Sequence, residues 1–178
     1  HWAWECKDTG GDKVEPPRSE SEKRLCVPMV ERPNHEEHRN YAPIRGIRSA
    51  VEATIRRKGW ALIATDGGSK GTSFEERRAS IGIAVENKTW HEPIGGLDQT
   101  SYKSEVWALY KLLESIKGTR GRIVVIIDNQ AVAREAASRR SGGGSNRMNC
   151  PSLWDKIGER IGKCPGISFH WVPSHGKK

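Results

Sequence analysis

An apolar run that ends in one carboxylate and two glycines is the feature that most constrains the fold of this sequence. Apolar residues 61–64 precede Asp66 in the stretch ALIATDGGSKG. A short apolar run bounded by turn residues is typical of a β-strand. We therefore expect Asp66 at the tip of a strand, where Gly67 and Gly68 let the backbone turn sharply and approach a ligand closely. An Asp followed by two glycines is also an ordinary β-turn sequence.

The elements on either side of this run are predicted by their hydrophobic periodicity. The segment IRSAVEATIRRK has apolar residues at helical spacing and is followed by Gly59, a typical helix stop. The runs ASIGIAVEN and KTWHEPIGG come after the first strand with tight connections, which favours an antiparallel meander of three strands. The next segment, SYKSEVWALYKLLESI, carries a continuous apolar stripe and predicts a long helix that ends at Gly118.

The rest of the chain predicts two more strands and two more helices. The β-branched run RIVVIID is typical of a strand buried on both faces and ends in Asp128. The helical segments NQAVAREAASRR and PSLWDKIGERIGK follow, separated by a glycine-rich loop, and ISFHW is the last strand. The order βββαβαβ, or βββαβααβ if a helix is split, predicts an α/β fold. It has a five-stranded mixed sheet, with the first three strands antiparallel, flanked by helices.

Length and composition bound the domain organisation and the partners. The 178 residues suit one domain plus appended sequence, and their net charge of +8 favours a polyanionic partner, with nucleic acid as the leading candidate. Residues 1–45 are rich in charged residues and proline, which predicts a flexible arm or linker. Residues 46–59 form the amphipathic helix described above, and residues 60–178 form the main domain.

The cysteines and the apolar runs predict an intracellular protein without a membrane segment. Four cysteines lie far apart, which is not the density of a disulfide-stapled secreted domain, and the start of the chain lacks a signal peptide. A zinc site built from Cys6, Cys26, His35 and His38 is disfavoured because it lacks a close cysteine pair. We leave the choice between cytoplasm and nucleus open. The sequence does not begin with Met, which is consistent with a piece of a longer polypeptide.

Three acids fall where this fold would bring them together. Asp66 ends the first strand, Glu105 lies in the first turn of the long helix, and Asp128 ends the fourth strand. If the first and fourth strands are neighbours, both aspartates lie at one edge of the sheet, with Glu105 crossing above them. Clustered carboxylates repel one another, so we expect cations there, and hard oxygen ligands suit Mg²⁺ or Mn²⁺.

Four motifs in order resemble one known family. The segments TDGGSKG, SEVWAL, VVIIDNQAV and HWVPSHG are similar to those of the ribonuclease H type 1 family, especially the domains carried by retroelement polyproteins. The resemblance covers about residues 60–178. It implies the ribonuclease H-like fold and a monomer, and it implies a reverse transcriptase as a fused or neighbouring partner.

The resemblance also implies a reaction and a set of site residues. Asp66, Glu105 and Asp128 would bind two Mg²⁺ ions, with Mn²⁺ as a substitute, and His175 would assist product release or proton movement. The reaction is hydrolysis of the RNA strand of an RNA/DNA hybrid, with the RNA strand chosen through its 2′-hydroxyl groups.

Six further residues match positions that approach the hybrid in this family: Gly67, Gly68, Ser69, Thr100, Asn129 and Gln130. Each also has a structural interpretation. The glycines suit a turn, Thr100 suits a helix cap, and Asn129 and Gln130 suit the first turn of a helix.

Two departures from the family are visible in the sequence. The family usually has a fourth carboxylate on a helix several residues beyond the histidine loop, and the sequence ends at Lys178, so we expect a domain truncated before its last helix. The family's Trp-bearing basic protrusion is also not matched, because Arg139, Arg140 and Arg147 surround a glycine loop instead. We expect the side chains of Trp154 and Trp171 in the core rather than stacked on bases.

Two alternatives stay open at this point. An integrase or transposase of the same fold superfamily would use Asp66, Asp128 and Glu159, which leaves Glu105 without a role. A catalytically silent ribonuclease H-like module would bind nucleic acid only. The absence of a fourth carboxylate favours this second alternative, and the presence of the other three acids disfavours it.

Overall fold

Five strands form one mixed sheet in the computed structural model, which describes residues 40–73, 75–95, 99–145 and 147–174. The strands are β1 Trp60–Lys70, β2 Arg78–Val85, β3 Lys88–Pro93, β4 Arg122–Ile127 and β5 Ile167–Trp171. Their order across the sheet is β3-β2-β1-β4-β5. The first three strands are antiparallel, whereas β1, β4 and β5 are parallel. The predicted meander is confirmed, and the first strand lies next to the fourth, which is the condition for bringing Asp66 and Asp128 together.

Four helices complete the described fold: α1 Ile47–Lys58, α2 Ser101–Ile116, α3 Gln130–Arg140 and α4 Pro151–Ile161. The order after α1 is βββαβααβ, the split-helix alternative. The stop signal after α1 acts as predicted, because Gly59 has a φ of +84° and donates its N–H to the carbonyl of Ile55. None of the described helices is long and apolar enough to cross a membrane.

Helix α2 packs on one face of the sheet and forms the centre of the core. Its residues Val106, Leu109 and Leu113 are fully buried. Alternate residues of the strands face this helix, among them Ile63 of β1 and Val125 of β4, which are also fully buried. Because these alternate residues are apolar and face α2, this helix covers one face of the sheet.

The opposite face of the sheet, which we call the open face, is bordered at its Trp60 end by α1, whose Thr54, Arg57 and Lys58 line a groove there. On β1 it carries Trp60 and Leu62, whose side chains are 40% and 41% exposed. On β4 it carries Val124 and Ile126, which are half-buried. The prediction that β4 is buried on both faces is therefore wrong for the described part of the chain. The helices connecting the parallel strands all pack on the face of α2, so Val124 and Ile126 keep partial contact with solvent. The groove at the Trp60 end has a volume of about 410 Å³.

A buried lysine ties the segment before α1 to α2. The Nζ of Lys111, which is fully buried, donates to the carbonyl oxygens of Asn40 at 2.8 Å and of Ala42, and it lies 3.2 Å from a carboxylate oxygen of Glu92. The ring of Tyr41 adds edge contacts with aromatic rings of α2. The predicted arm boundary at residue 45 thus falls inside a segment that packs on α2. Residues 1–39 lie outside the described part, and the other domain bounds stay predictions.

Candidate metal centre

The register of the two central strands brings Asp66 and Asp128 side by side. Strands β1 and β4 run parallel, and Thr65 lies opposite Ile127 in the last pair of their ladder. Asp66 and Asp128 each follow one residue later. Because neighbouring residues in the same register of parallel strands face the same way, the two carboxylates point toward the open face of the sheet.

Strand β1 does not end at Asp66. It continues to Lys70, paired with β2, and the chain turns only at Gly71, whose φ is +113°. Gly67 and Gly68 have ordinary strand conformations, and neither has a positive φ. The prediction of a sharp turn at these two glycines is therefore wrong, because β1 stays paired with β2 as far as Lys70.

Gly67 instead allows α2 to approach the strand. A Cβ atom at Gly67 would lie 2.4 Å from the backbone nitrogen of Glu105 and 2.4 Å from the carbonyl carbon of Ser104. Only a glycine fits against the helix backbone at this distance, whereas a Cβ atom at Gly68 would enter open space. The contact brings Glu105, on the helix that packs on the covered face, close to the two aspartates just beyond the end of the β1–β4 ladder.

Glu105 lies in the second turn of α2, not in the first turn as predicted. The helix starts at Ser101, because the side chain of Thr100 accepts a hydrogen bond from the N–H of Lys103 and caps it. The start of the helix at Ser101 and the cap at Thr100 agree with the sequence prediction, and Glu105, as the fifth residue of α2, begins its second turn.

The three carboxylates form one cluster. Each of Asp66, Glu105 and Asp128 offers an oxygen, and these oxygens all lie within 4.8 Å of one another. Glu105 is only 5% exposed, Asp128 is half-buried and Asp66 is exposed. Oε2 of Glu105 and Oδ1 of Asp128 are buried and have no hydrogen-bond partner among the described residues. A set of acidic oxygens with free lone pairs fits a hard divalent cation such as Mg²⁺ or Mn²⁺.

The protonation of Glu105 reflects this crowding. Burial, followed by the negative charges of Asp128 and Asp66, raises its pKa to about 8 from the usual value of 4.5. Without a cation, the cluster therefore holds a proton on Glu105 at neutral pH. A bound divalent cation would replace that proton.

The other predicted site residues that the structure describes lie at helix starts or on β1. Thr100 caps α2, and Asn129 caps α3 by accepting the N–H of Val132 over 3.0 Å. Gln130 is exposed at the first position of α3, and Ser69 is half-buried on β1. His175 lies outside the described residues, so its proximity to the acids stays a prediction.

One residue of the site was not found by sequence reasoning. The indole nitrogen of Trp171 donates to the main-chain oxygen of Asp128 over 2.9 Å, and the side chain is 47% exposed. The prediction that Trp171 lies in the core is wrong, whereas Trp154 is fully buried as predicted. Trp171 pairs with Ile127, next to the third acid, so the register of a parallel β4–β5 pair is the signal that could have indicated its position.

The arginines around the glycine-rich loop are used within the fold. Arg139 is ion-paired with Glu135 at 2.9 Å and donates to the carbonyl of Trp154. Arg140 donates to the carbonyls of Pro165 and Ile167. Both side chains therefore brace the packing of α3, which agrees with the expectation that they do not form a basic protrusion.

Glu159, the third acid of the integrase-like arrangement, is not part of the acidic cluster. Glu159 is on α4, its side chain is 63% exposed, and it pairs with Arg160 at 3.1 Å. Within the described ranges, the acids that meet Asp66 and Asp128 in a cluster include Glu105 and not Glu159.

Comparison with known proteins finds similarity at the level of structure. No protein-family model matches the chain, and no curated protein matches it significantly. A foamy viral protease-reverse transcriptase in complex with an RNA/DNA hybrid matches with a TM-score of 0.53 and 18% identity. That match covers 65% of this chain and 17% of the other. The foamy viral protease-reverse transcriptase in complex with dsDNA matches with a TM-score of 0.53, 21% identity, and coverage of 65% and 82%.

A third solved structure is a single domain. The solution structure of the PFV RNase H domain matches with a TM-score of 0.53 and 22% identity, over 65% of this chain and 79% of that one. At these identities the matches show the fold and not the activity. The chain spans 17% of the length of the first of these structures, so the activity and partners of that whole protein are not carried over here.

Proposed function

We propose that this chain, which has the ribonuclease H-like fold, is an endoribonuclease that cleaves the RNA strand of RNA/DNA hybrids. The observation that carries the proposal is the cluster of Asp66, Glu105 and Asp128, whose oxygens lie within 4.8 Å of one another. Three elements far apart in sequence supply these acids. An acidic cluster in which buried oxygens lack hydrogen-bond partners is costly for stability, which favours a functional reason for it.

The cluster would hold two Mg²⁺ ions, with Mn²⁺ as a substitute. Bound there, the ions would supply an activated water and stabilise the charge that develops on the leaving oxygen of the phosphodiester. The residues of the chain have separate tasks. Glu105, fixed by the contact between α2 and Gly67, provides the buried ligand and releases its proton when a cation binds. Asp66, which is exposed, faces the incoming phosphate.

The substrate class follows from the surroundings of the cluster. A net charge of +8 favours a polyanion, and Gly68 presents bare backbone next to Asp66. Discrimination of RNA from DNA requires contacts to 2′-hydroxyl groups. We assign these and the neighbouring phosphate contacts to Gly68, Ser69, Thr100, Asn129 and Gln130, with His175 assisting product release. Gly67 is buried against α2 and contributes by placing Glu105 instead.

The retroelement context is part of the proposal. The chain is similar in fold to a protease-reverse transcriptase of a foamy virus. We infer that it derives from a retrotransposon polyprotein and acts as a monomer next to a fused or neighbouring reverse transcriptase.

The test is a cleavage assay on the full 178-residue chain. An end-labelled RNA/DNA hybrid with Mg²⁺ should be nicked internally in the RNA strand, and Asp128→Asn, Asp66→Asn and Glu105→Gln should each abolish nicking. Glu159→Gln, an equally conservative change of an exposed acid, should leave nicking unchanged. Circular dichroism confirms that each variant is folded.

Three outcomes would contradict the proposal. Equal cutting of double-stranded DNA would remove the specificity for the hybrid. A harmless Glu105→Gln together with an inactive Glu159→Gln would favour the integrase-like arrangement. Binding of the hybrid without cleavage in either Mg²⁺ or Mn²⁺ would indicate a silent binding module.

A further inference from the structure

We propose that Lys70 and Arg78 form a second, cationic binding site for the nucleic-acid backbone, which we call the hairpin anchor. The inference rests on the proposed function, because it names where the substrate lies beyond the acids. Lys70 and Arg78 are the last cross-strand pair of the β1–β2 hairpin. This end of the hairpin extends beyond the last pair of the β1–β4 ladder, which is Thr65 with Ile127.

The hairpin anchor is on the same face of the sheet as Asp66. Side chains of a strand alternate between faces, so Asp66, Gly68 and Lys70 share the open face. Across the ladder, Gly68 lies opposite Ser80 and Lys70 lies opposite Arg78, so β2 places Ser80 and Arg78 on that face too. Lys70 is four positions after Asp66, so at about 3.3 Å per residue the two residues lie about 13 Å apart.

Both cations are available to a ligand. Lys70 is exposed, and in the described ranges its ammonium group has no ion-pair or hydrogen-bond partner. Arg78 is exposed and donates from Nη1 to the main-chain oxygens of Glu75 at 2.7 Å and Arg77 at 2.9 Å. These contacts orient the guanidinium without neutralising its charge. The carboxylates of Glu75 and Glu76 lie in the same turn, but neither is ion-paired with Lys70 or Arg78 in the structure.

Between Asp66 and the anchor, the described residues on this face of the hairpin are small. Gly68 has no side chain, and a Cβ atom there would meet open space. Ser80 opposite it is small and exposed. A backbone strand can therefore lie close to the hairpin, with one phosphate at the acids and a later phosphate between Lys70 and Arg78.

The anchor and the acids have opposite effects on an approaching polyanion. The three acids repel a polyanion until cations neutralise them, whereas Lys70 and Arg78 attract it at once. The separation of about 13 Å exceeds the Debye length of about 8 Å at physiological salt, so the acids only weakly offset the attraction of the anchor. The anchor thus holds the strand and fixes its direction along β1.

The experiment measures hybrid binding as a function of salt. The full chain carrying Asp128→Asn, which blocks cleavage, is titrated with a fluorescent RNA/DNA hybrid in Mg²⁺ between 50 and 200 mM salt, chosen as about the range over which phosphate contacts are lost. Each phosphate contact contributes about one to the slope of log K against log salt. Lys70→Gln and Arg78→Gln should each lower the slope by about one, and the double variant by about two.

Arg56→Gln is the matched control. Arg56 is exposed in the last turn of α1, beside the Trp60 end of β1, and Trp60 lies about 33 Å from Lys70 at about 3.3 Å per residue. Arg56→Gln removes one positive charge, as Lys70→Gln and Arg78→Gln each do, but it should leave the slope unchanged. Glutamine at Arg78 retains a donor for the turn, and Lys70 makes no described contact, so misfolding does not explain a reduced slope at Lys70→Gln.

The outcomes separate the anchor from the proposed function. If Lys70→Gln and Arg78→Gln behave like Arg56→Gln while the unmutated chain cleaves the hybrid, the anchor is wrong and the nuclease remains. If the slopes fall as expected while the unmutated chain cleaves no hybrid, the anchor is supported and the nuclease proposal is wrong.

Discussion

The indole nitrogen of Trp171 donates to the main-chain oxygen of Asp128 over 2.9 Å, so the last strand fixes the end of the strand that carries the third acid. A second bond, from the N–H of Val172 to the carbonyl of Ile127, extends the same contact. Asp128 follows the last residue of β4, where the ladder with β1 has ended. Trp171 therefore gives Asp128 a hydrogen bond at the point where β1 no longer pairs with this part of the chain.

Loss of the indole donor should reduce cleavage without unfolding the chain. Trp171→Phe keeps an aromatic ring but removes the N–H, and a hydrogen bond of this kind contributes about 0.5–1.5 kcal/mol. If the bond orients Asp128, kcat for hybrid cleavage falls by about 2- to 10-fold with little change in KM. The measurement is steady-state cleavage of a labelled hybrid.

Trp60→Phe is the control for this change. Trp60 is 40% exposed, close to the 47% of Trp171, and lies at the far end of β1 from the acids. Equal losses of kcat in both variants would contradict the positioning role of Trp171.

Two adjacent glycines should respond differently to alanine. Gly67→Ala places a Cβ atom 2.4 Å from the backbone of α2, so the helix must shift, at a cost of about 1–3 kcal/mol. The melting temperature should fall by at least about 2 °C, and the apparent affinity for Mg²⁺ should fall with it, because the shift moves Glu105. Gly68→Ala adds the same methyl group to open space. Melting curves with and without Mg²⁺ compare the two, and similar curves would contradict the close-approach explanation.

Glu105 should make the metal-free protein less stable as the pH rises. Its pKa is about 8 in the folded protein, against 4.5 for an unperturbed glutamate side chain. Between these values the folded state binds a proton that the unfolded chain has released. The contribution is therefore fully present below pH 4.5 and is lost as the pH rises through 8. In EDTA, the melting temperature of the unmutated chain should fall between about pH 5 and 9 by at least about 2 °C relative to Glu105→Gln.

Mg²⁺ provides the complementary measurement for Glu105. At about pH 8 the cation should raise the melting temperature of the unmutated chain more than that of Glu105→Gln, because binding to the folded state stabilises it. Parallel melting curves of the two proteins across the pH range in EDTA would show that Glu105 does not carry the raised pKa.

The buried Lys111 should be important for stability rather than for catalysis. Lys111→Met leaves the carbonyls of Asn40 and Ala42 without a donor and the carboxylate of Glu92 without a cation. Removing one partner of such a network costs about 3 kcal/mol, which corresponds to a fall of about 6–12 °C in melting temperature. The double variant Lys111→Met with Glu92→Leu should recover part of the loss, since no unpaired carboxylate remains. A double variant no more stable than the single one would contradict this explanation.

The parts of the site that the sequence predicts are those set by strand patterning. Apolar runs before Asp66 and Asp128 indicate the two strands that carry these acids, whereas the order of elements does not by itself make the two strands neighbours. The length of β1 beyond Asp66 could not be predicted, because it depends on pairing with a strand that starts at Arg78. The helix start at Ser101 and the cap at Thr100 were predicted from the sequence, and they place Glu105 at the beginning of the second turn of α2.

The remaining errors have a common physical cause. Residue type indicates average burial, whereas the position of an element in the sheet decides actual burial. Trp171 is aromatic and lies on a strand, yet it sits where the ladder ends and solvent begins. Val124 and Ile126 are as apolar as any core residue, but the described helices that connect the strands pack on the other face of the sheet.

The continuation of β1 past Asp66 also affects which insertions and deletions this protein can tolerate during evolution. Asp66 is held in the middle of a ladder, and the reversal of the chain begins only at Gly71, five residues later. Insertions and deletions in residues 72–76 can therefore accumulate without moving the first acid. The geometry of the acidic cluster is therefore independent of the length of the hairpin loop.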